Sequence, residues 1–377
     1  MQLTSTDIEY CIPLQNEFEI SLFGPGVGEC IVAHLGDNKW IIVDSCCKPK
    51  SKEPIALEYL NQIGVNPSES VVLFIVTHWH SDHIRGASKI VKECTSARFG
   101  YPSALLKEEF LKLVSAYSGI PNNRIIDKEN SGTIEFAKIV NILFDRCESN
   151  PKYKINQLVP IQSDRVLYSS NVTNANVSIR SLSPSDKSYH NSILEFASLL
   201  PKQNEMIKVI PSPTKNNNSV VLWIDFNITQ ALLGSDLEET NDPLTGWTTI
   251  INSPVRPHGK ASIFKIPHHG SENGHSHDVW GKMVNSSPVS ILTSKIGGQN
   301  SIPKIPDIER IKKYSSEIYC TKVPIAAKPK RDHTVEKMFK VIAKNRTIIG
   351  DKIGHIQIRF SDMSNIKVNY QYPAEKL

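Results

Sequence analysis

The sequence predicts an α/β layered fold, and three observations predict it. Short apolar runs rich in β-branched residues, each closed by Gly, Asp or Asn, open the chain; from about residue 54 such runs alternate with helical periodicity; and strand patterns resume after a helical middle. "EFEISLFGPGVGECIVAHLGDNKWIIVDSCC" reads as strand, glycine loop, strand, "GDNK" turn and strand, an opening β-meander. Then "PIALEYLNQIGV" has helical spacing, "NPSES" reads as a loop, and "VVLFIVTH" reads as a buried strand. Helical periodicity returns with "DHIRGASKIVKEC".

Between residues 95 and 215 the pattern is mostly helical, in "ALLKEEFLKLVSAY", "TIEFAKIVNILFDRC" and "NSILEFASLLPKQNEMI", with strand-like "RVLYSS" and "NVSIRSL" between them. Because strands resume at "NNNSVVLWIDFNITQALLGSDLE", "KASIFKIPHHGS" and "SPVSILTSK", this stretch is expected to be a helical insertion within one domain spanning residues 1–377. Further on, "IPDIERIKKYSS" and "TVEKMFKVIAK" read as helices, and "EIYCTKV", "GHIQIRF" and "IKVNYQY" as strands.

The composition narrows the function. With 40% hydrophobic and 21% charged residues the chain is an ordinary globular one, large enough for one big core or two modest ones. The 43 basic and 38 acidic residues leave a charge of +5, too slight and too scattered to demand nucleic acid or an anionic membrane. Seven cysteines without framework spacing suit a reducing compartment, and no apolar run approaches a membrane span or a secretory leader. A cytoplasmic protein that does not engage membranes is therefore expected.

The chemistry concentrates in "IVTHWHSDHIRGA", which sets three histidines and an aspartate between His78 and His83 at the end of a strand. Residues two apart in a strand point the same way, so His78 and His80 project together and suit one metal ion, while Trp79 faces the opposite layer. The following turn brings Asp82 and His83 toward the same cavity, where a second ion fits. The plain alternative is a surface loop rich in histidine, but density and position favour metal. Other strand ends offer further ligands. "LLGSDLE" ends in Asp236, which otherwise reads as a turn aspartate capping a helix, and "KIPHHGS" ends in His268 and His269, one of which is expected only to support the other.

"HWHSDH" matches the H-x-H-x-D-H signature of the metallo-β-lactamase superfamily. "IIVDSC" resembles that superfamily's early aspartate motif at Asp44, "LLGSDLE" its later aspartate motif at Asp236, and "PHHGS" its final histidine motif. More narrowly, "GPGVGECIVAHLGDNKWIIVDS", "IPHHGS" and the late "SKIGGQNSIPKIPDIERI" resemble the ComEC-type branch, here as a stand-alone relative without that channel's membrane segments. The resemblance implies a four-layer αβ/βα sandwich with the site at one edge. It implies that His78 and His80 hold the first ion, that Asp82, His83 and His268 hold the second, and that Asp236 bridges. His269 would bind or protonate substrate, and Asp44 would order the ligand loops. The superfamily often supplies a third histidine to the first ion; here the matching region is "SIRSLSPSD", with Ser183 and Pro184, and His190 of "SYHNS" is the candidate substitute, against the commoner reading of a solvated helix residue.

Two divalent ions, zinc or alternatively manganese, would activate a water held near Asp82 and neutralise charge on the attacked centre, which suits hydrolysis of a phosphoester in nucleic acid or a nucleotide. A hydrolase of an amide, lactone or thioester keeps the same metals. A third reading is a metal-stabilised interaction module that docks a protein partner through its helical middle. Lys48, Lys50 and Lys52, and the run Lys328 to His333, are candidates for extra positive charge near the mouth, against the plainer reading of solvated loops. Cys30, Cys46 and Cys47 read as packed thiols, and "HSHD", His275 to Asp278, as a helix start.

Overall fold

The computed structural model describes residues 7–24, 28–48, 52–118, 131–150, 157–172, 175–200, 216, 218–227, 229–297, 301–324, 334, 338, 352–361 and 365–377. Its strands are β1 Phe18–Gly24, β2 Cys30–His34, β3 Trp40–Val43, β4 Val71–Ile75, β5 Arg98–Pro102, β6 Leu158–Ile161, β7 Arg165–Val172 and β8 Ala175–Ser181. They continue with β9 Leu222–Asp225, β10 Gln230–Leu233, β11 Ala261–Lys265, β12 Val284–Leu292, β13 Glu317–Cys320, β14 Gly354–Phe360, β15 Lys367–Gln371 and β16 Glu375–Lys376. The helices are α1 Ile55–Gln62, α2 Pro67–Ser70, α3 Ser81–Ile84, α4 Ala87–Glu93, α5 Glu108–Ser118, α6 Ser131–Ser149, α7 Asp186–Leu199, α8 Gly246–Asn252, α9 His277–Lys282 and α10 Ile305–Lys312.

Two eight-stranded sheets result, in the orders β15-β14-β1-β2-β3-β4-β5-β6 and β16-β13-β12-β11-β10-β9-β8-β7. Strand alternation divides the apolar residues into three layers. Ile41, Val43, Leu73 and Ile75 of the first sheet meet Ile224, Leu233, Ile263 and Ile291 of the second in the central core. Trp40, Ile42 and Phe74 face the other way, under Leu57, Ile90, Phe110, Phe136 and Phe196 of the first helical layer. Trp223, Leu232 and Phe264 pack under Trp247, Trp280 and Ile311 of the second. Helix, sheet, sheet, helix is the four-layer α/β arrangement expected from the sequence, and it is consistent with a metallo-β-lactamase sandwich.

Local differences have local causes. "NPSES" is a one-turn helix rather than a loop, because the Asn66 side chain accepts from Ser68 N and Pro67 occupies the first turn. The helix expected from Asp82 breaks in two at Gly86, which has a φ of 83°. Within residues 95–215, α5, α6 and α7 are the expected helices, but β5 and β6 join the first sheet while β7 and β8 join the second. That stretch therefore helps complete both sheets. "TVEKMFKVIAK", Lys50 and the run Lys328 to His333 lie outside the described residues, apart from Thr334 and Met338.

The topology also positions the site. β3, β4, β5 and β6 run parallel in one sheet and β10, β11, β12 and β13 in the other, so the carboxyl ends of several strands open on one edge.

Candidate metal centre

Five of those strands deliver polar residues to that edge. Asp44 follows β3, Thr77 and His78 follow β4, Asp236 follows β10, His268 and His269 follow β11, and Thr293 and Lys295 follow β12. Glu29 enters from the loop before β2. Gly28 makes that entry close, since a Cβ there would stand 2.9 Å from the Asp82 carbonyl oxygen, and the Glu29 amide donates to the same oxygen at 3.1 Å. Asp44, Ser235, His268 and His269 all have positive φ, between 46° and 60°, a strained backbone that recurs at functional sites. Trp79 anchors the histidine loop from behind, with its ring 5.5 Å from Phe110 and 6.4 Å from Phe196.

Hydrogen bonds fix the imidazole tautomers. The Thr77 hydroxyl donates to Asp44 Oδ2 at 2.7 Å, so at 3.0 Å it accepts from His78 Nδ1. The Thr293 hydroxyl donates to Glu29 Oε2 at 2.6 Å, so at 3.0 Å it accepts from His269 Nδ1. His83 Nδ1 donates to Asp44 Oδ2 at 2.7 Å. All three rings therefore turn Nε2 toward the interior of the cluster, and the buried Nε2 atoms of His78 and His269 have no hydrogen-bond partner.

The carboxylates face those nitrogens. His83 Nε2 lies 3.2 Å from Asp236 Oδ2; His269 Nε2 lies 3.6 Å from the same oxygen and 4.0 Å from Asp82 Oδ2. Donor atoms of Asp82, His83 and His269 lie within 4.8 Å of one another, as do those of Glu29, Asp236 and His269, and those of Asp44, His78 and His83. Ligands about 2.0–2.2 Å from a tetrahedral zinc ion stand about 3.3–3.6 Å apart, so the spacing around Asp236 and His269 fits one cation. Electrostatics point the same way. Burial lowers the pKa of His78 well below the ordinary histidine value and brings those of His80 and His269 down to about 4, which keeps these rings neutral. Burial opposes ionisation of Asp82 and Asp236, yet His83, with Lys295 on Asp82 and His269 on both, holds both carboxyls well below the usual range. Burial also disfavours a charged His83, but Asp236 and Asp44 raise its pKa well above the ordinary value. The neutral rings of His78 and His269 beside the ionised oxygens of Asp82 and Asp236 fit a divalent cation, for which His83 would give up its Nε2 proton.

The structure brings His78, Asp82, His83, Asp236 and Asp44 into one buried cluster, and it turns the two adjacent histidines in different directions. His269, expected to touch substrate, is buried among the carboxylates. His268, expected as the ligand, points away: its Nδ1 meets Asn273 Oδ1 at 3.0 Å, its Nε2 meets Asn216 Nδ2 at 3.3 Å, and Glu238 Oε1 is 3.7 Å off. The physical reason is the left-handed backbone at both residues, which folds the 3-10 turn so that the second ring, not the first, faces inward. His80 is half-buried, its ring 4.7 Å from that of His78, but among the described residues it joins no three-donor group. Ser183 is bonded to Ser219 O and Val221 N, and His190 is exposed on α7 with its ring against Tyr189. Lys48 pairs with Glu58 on α1. Cys30 and Cys46 are buried thiols with pKa raised well above normal by burial, and burial pushes Cys47 up to about 11.

Glu29, Thr77, Lys265, Thr293 and Lys295 complete the cluster and were not singled out from the sequence. Lys265 Nζ lies 2.6 Å from Glu29 Oε1 and donates to Ser235 O at 2.9 Å, with no exposure to solvent. Lys295 Nζ lies 2.7 Å from Asp82 Oδ2. A signal for Lys265 existed, a lone charge on the inward face of the apolar strand "ASIFK".

Residues 23–128 match the family model of the metallo-beta-lactamase superfamily. That span holds Glu29, Asp44 and the whole "HWHSDH" corner, whereas Asp236 and His269 of the cluster lie beyond it. Among solved structures the chain is similar to the metallo-beta-lactamase fold protein YhfI from Bacillus subtilis, at 10% identity and a TM-score of 0.38, over 80% of this chain and 94% of that one. It is also similar to the metallo-beta-lactamase SMB-1 bound to 2-mercaptoethanesulfonate, at 11% identity and 0.28, over 62% and 69%. A flavoprotein from Thermotoga maritima matches at 11% identity and 0.25, over 58% and 37%. A search of curated proteins returned no match. Among the described residues no helix is long and apolar enough to cross a membrane.

Proposed function

We propose that this protein is a metal-dependent hydrolase of phosphoesters, in nucleic acid or a nucleotide, as in the ComEC-type branch it resembles. One observation carries the metal reading: three buried imidazoles have Nδ1 committed to Asp44, Thr77 or Thr293, which leaves Nε2 of His83 and His269 facing Asp236, and His269 also facing Asp82, while Nε2 of His78 is buried without a partner. Nitrogen and carboxylate donors suit zinc, with manganese as the alternative, and the His78–His80 pair is the place for the second ion expected from the sequence. A divalent ion there supplies Lewis acidity and a nucleophilic water at neutral pH.

The chain's own residues do the rest. Asp82, His83, Asp236 and His269 hold the cation, while Asp44, Thr77 and Thr293 hold the rings in orientation. His268, half-buried beside them, has Nδ1 tied to Asn273 and takes over the role expected of His269: it binds substrate or delivers a proton to the leaving group. The half-exposed Lys295 places positive charge at the edge, which favours an anionic substrate. The seven cysteines are all free thiols, which supports a cytoplasmic location.

The test is turnover of bis(p-nitrophenyl) phosphate and of single-stranded DNA by protein loaded with zinc or manganese. The expected result is metal-dependent cleavage that Asp82→Ala abolishes while the circular-dichroism spectrum is unchanged. Cleavage of acyl substrates alone would replace this reading with that of an amide, lactone or thioester hydrolase.

A further inference from the structure

Four carboxylates, those of Glu29, Asp44, Asp82 and Asp236, are buried around the histidines, and two ammonium groups meet them. Lys265 sits on Glu29 and stands 3.9 Å from Asp236 Oδ1; Lys295 sits on Asp82. With His83 neutral, as a metal ligand must be, the lysines leave two negative charges uncompensated, and one divalent ion cancels them. A second ion would leave an excess of two positive charges in a buried site, which is unfavourable.

The donor atoms give the same count. Glu29 is occupied by Lys265 and Thr293, and Asp44 by the Thr77 amide, the Thr77 hydroxyl and His83 Nδ1. What remains to converge is His83 Nε2, His269 Nε2, Asp82 and Asp236, four ligands for one ion. His78 shares a three-donor group with Asp44 and His83, but both Asp44 oxygens and His83 Nδ1 are already hydrogen-bonded, and His80 joins no such group among the described residues. Lys295 is held where it matters: its backbone exchanges two hydrogen bonds with Ile302, at 2.9 and 3.0 Å, directly beyond the end of β12.

We infer that Lys295 stands in for a second cation: the cluster is built to hold one divalent ion between His83, His269, Asp82 and Asp236, and the lysine ammonium beside Asp82 supplies the charge that a second ion would bring. This rests on the metal-site part of the hydrolase reading and revises its expected count of two ions. Removing the ammonium deepens the local negative charge by one, so the first ion binds more tightly and the His78–His80 position gains an ion.

The experiment uses full-length protein stripped with chelator and titrated with zinc alone and manganese alone, read by calorimetry and by native mass spectrometry. Wild type is expected to take one ion per chain. Lys295→Met is expected to bind the first ion about tenfold or more tightly, since an ammonium 2.7 Å from Asp82 Oδ2 no longer opposes the cation, with a discount for the partial exposure of the lysine. It is also expected to show a second bound ion, and Lys295→Arg, which keeps the charge, to behave as wild type. Lys295→Gln serves the same purpose if the Met variant fails to fold. Two ions of comparable affinity in wild type, or unchanged affinity and count in both neutral variants, would overturn the inference. Uptake of no ion by any of these proteins would overturn it together with the metal site, whereas correct ion counts without phosphoester cleavage would remove only the proposed activity.

Discussion

Thr293 accepts a hydrogen bond from His269 Nδ1 at 3.0 Å while donating its own proton to Glu29 Oε2 at 2.6 Å. One hydroxyl thereby sets which nitrogen of His269 faces the carboxylates. Thr293→Val keeps the shape and removes both bonds, so it is expected to weaken zinc binding about 10- to 100-fold, as loss of an outer partner of a ligand does. Competition against a chromophoric chelator measures this, and an affinity equal to wild type would show that the hydroxyl does not set the ring.

The two adjacent histidines are expected to separate by assay. His269→Ala should lose bound metal and turnover together, because its Nε2 lies among Asp82 and Asp236. His268→Ala should keep its metal and lose turnover, about 10²- to 10⁴-fold if the ring delivers a proton. Metal content by mass spectrometry beside kcat decides, and loss of metal from the His268 variant alone would reverse the assignment.

Lys265 is a buried charge whose loss strands another. Lys265→Met leaves Glu29 unpaired and is expected to cost about 3–5 kcal/mol in urea unfolding of the metal-free protein. The double variant with Glu29→Gln should recover most of that loss, since no buried charge then remains unpaired. A single variant as stable as wild type would mean that the pair contributes little.

Away from the site, His34 offers a pH test. Its Nδ1 donates to Glu17 O at 2.7 Å and its Nε2 accepts from the Asn38 amide at 3.1 Å, so it must be neutral, and burial lowers its pKa to about 4. The unfolded chain has the higher pKa, about 6.5, so between the two values it binds the extra proton. The stabilisation is complete above pH 6.5 and is lost as pH falls toward 4, on the order of 3 kcal/mol. Thermal unfolding from pH 7 to 4 should show a shallower decline in His34→Gln than in wild type, and parallel curves would exclude this role.

The layers and much of the site were legible because both obey short-range rules. Alternation at Ile41, Ile42 and Val43 sorts residues between the central and outer cores, and strand-end histidines and aspartates announce themselves by density. Residues that act through others were not legible. Thr77 and Thr293 look like any strand-end threonine until a neighbouring carboxylate takes the hydroxyl proton, and the pairing of Glu29 with Lys265 spans more than two hundred residues. Which of His268 and His269 faces Asp82 and Asp236 depends on backbone dihedrals at a turn, which residue types do not encode.

An anomalous-difference map from a crystal grown with zinc would locate the cation outright. A peak is expected about 2.0–2.2 Å from the Nε2 atoms of His83 and His269 and bonded to carboxylate oxygens of Asp82 and Asp236. A map with no peak there, or a zinc ion bound by His268 with His269 turned elsewhere, would contradict that assignment.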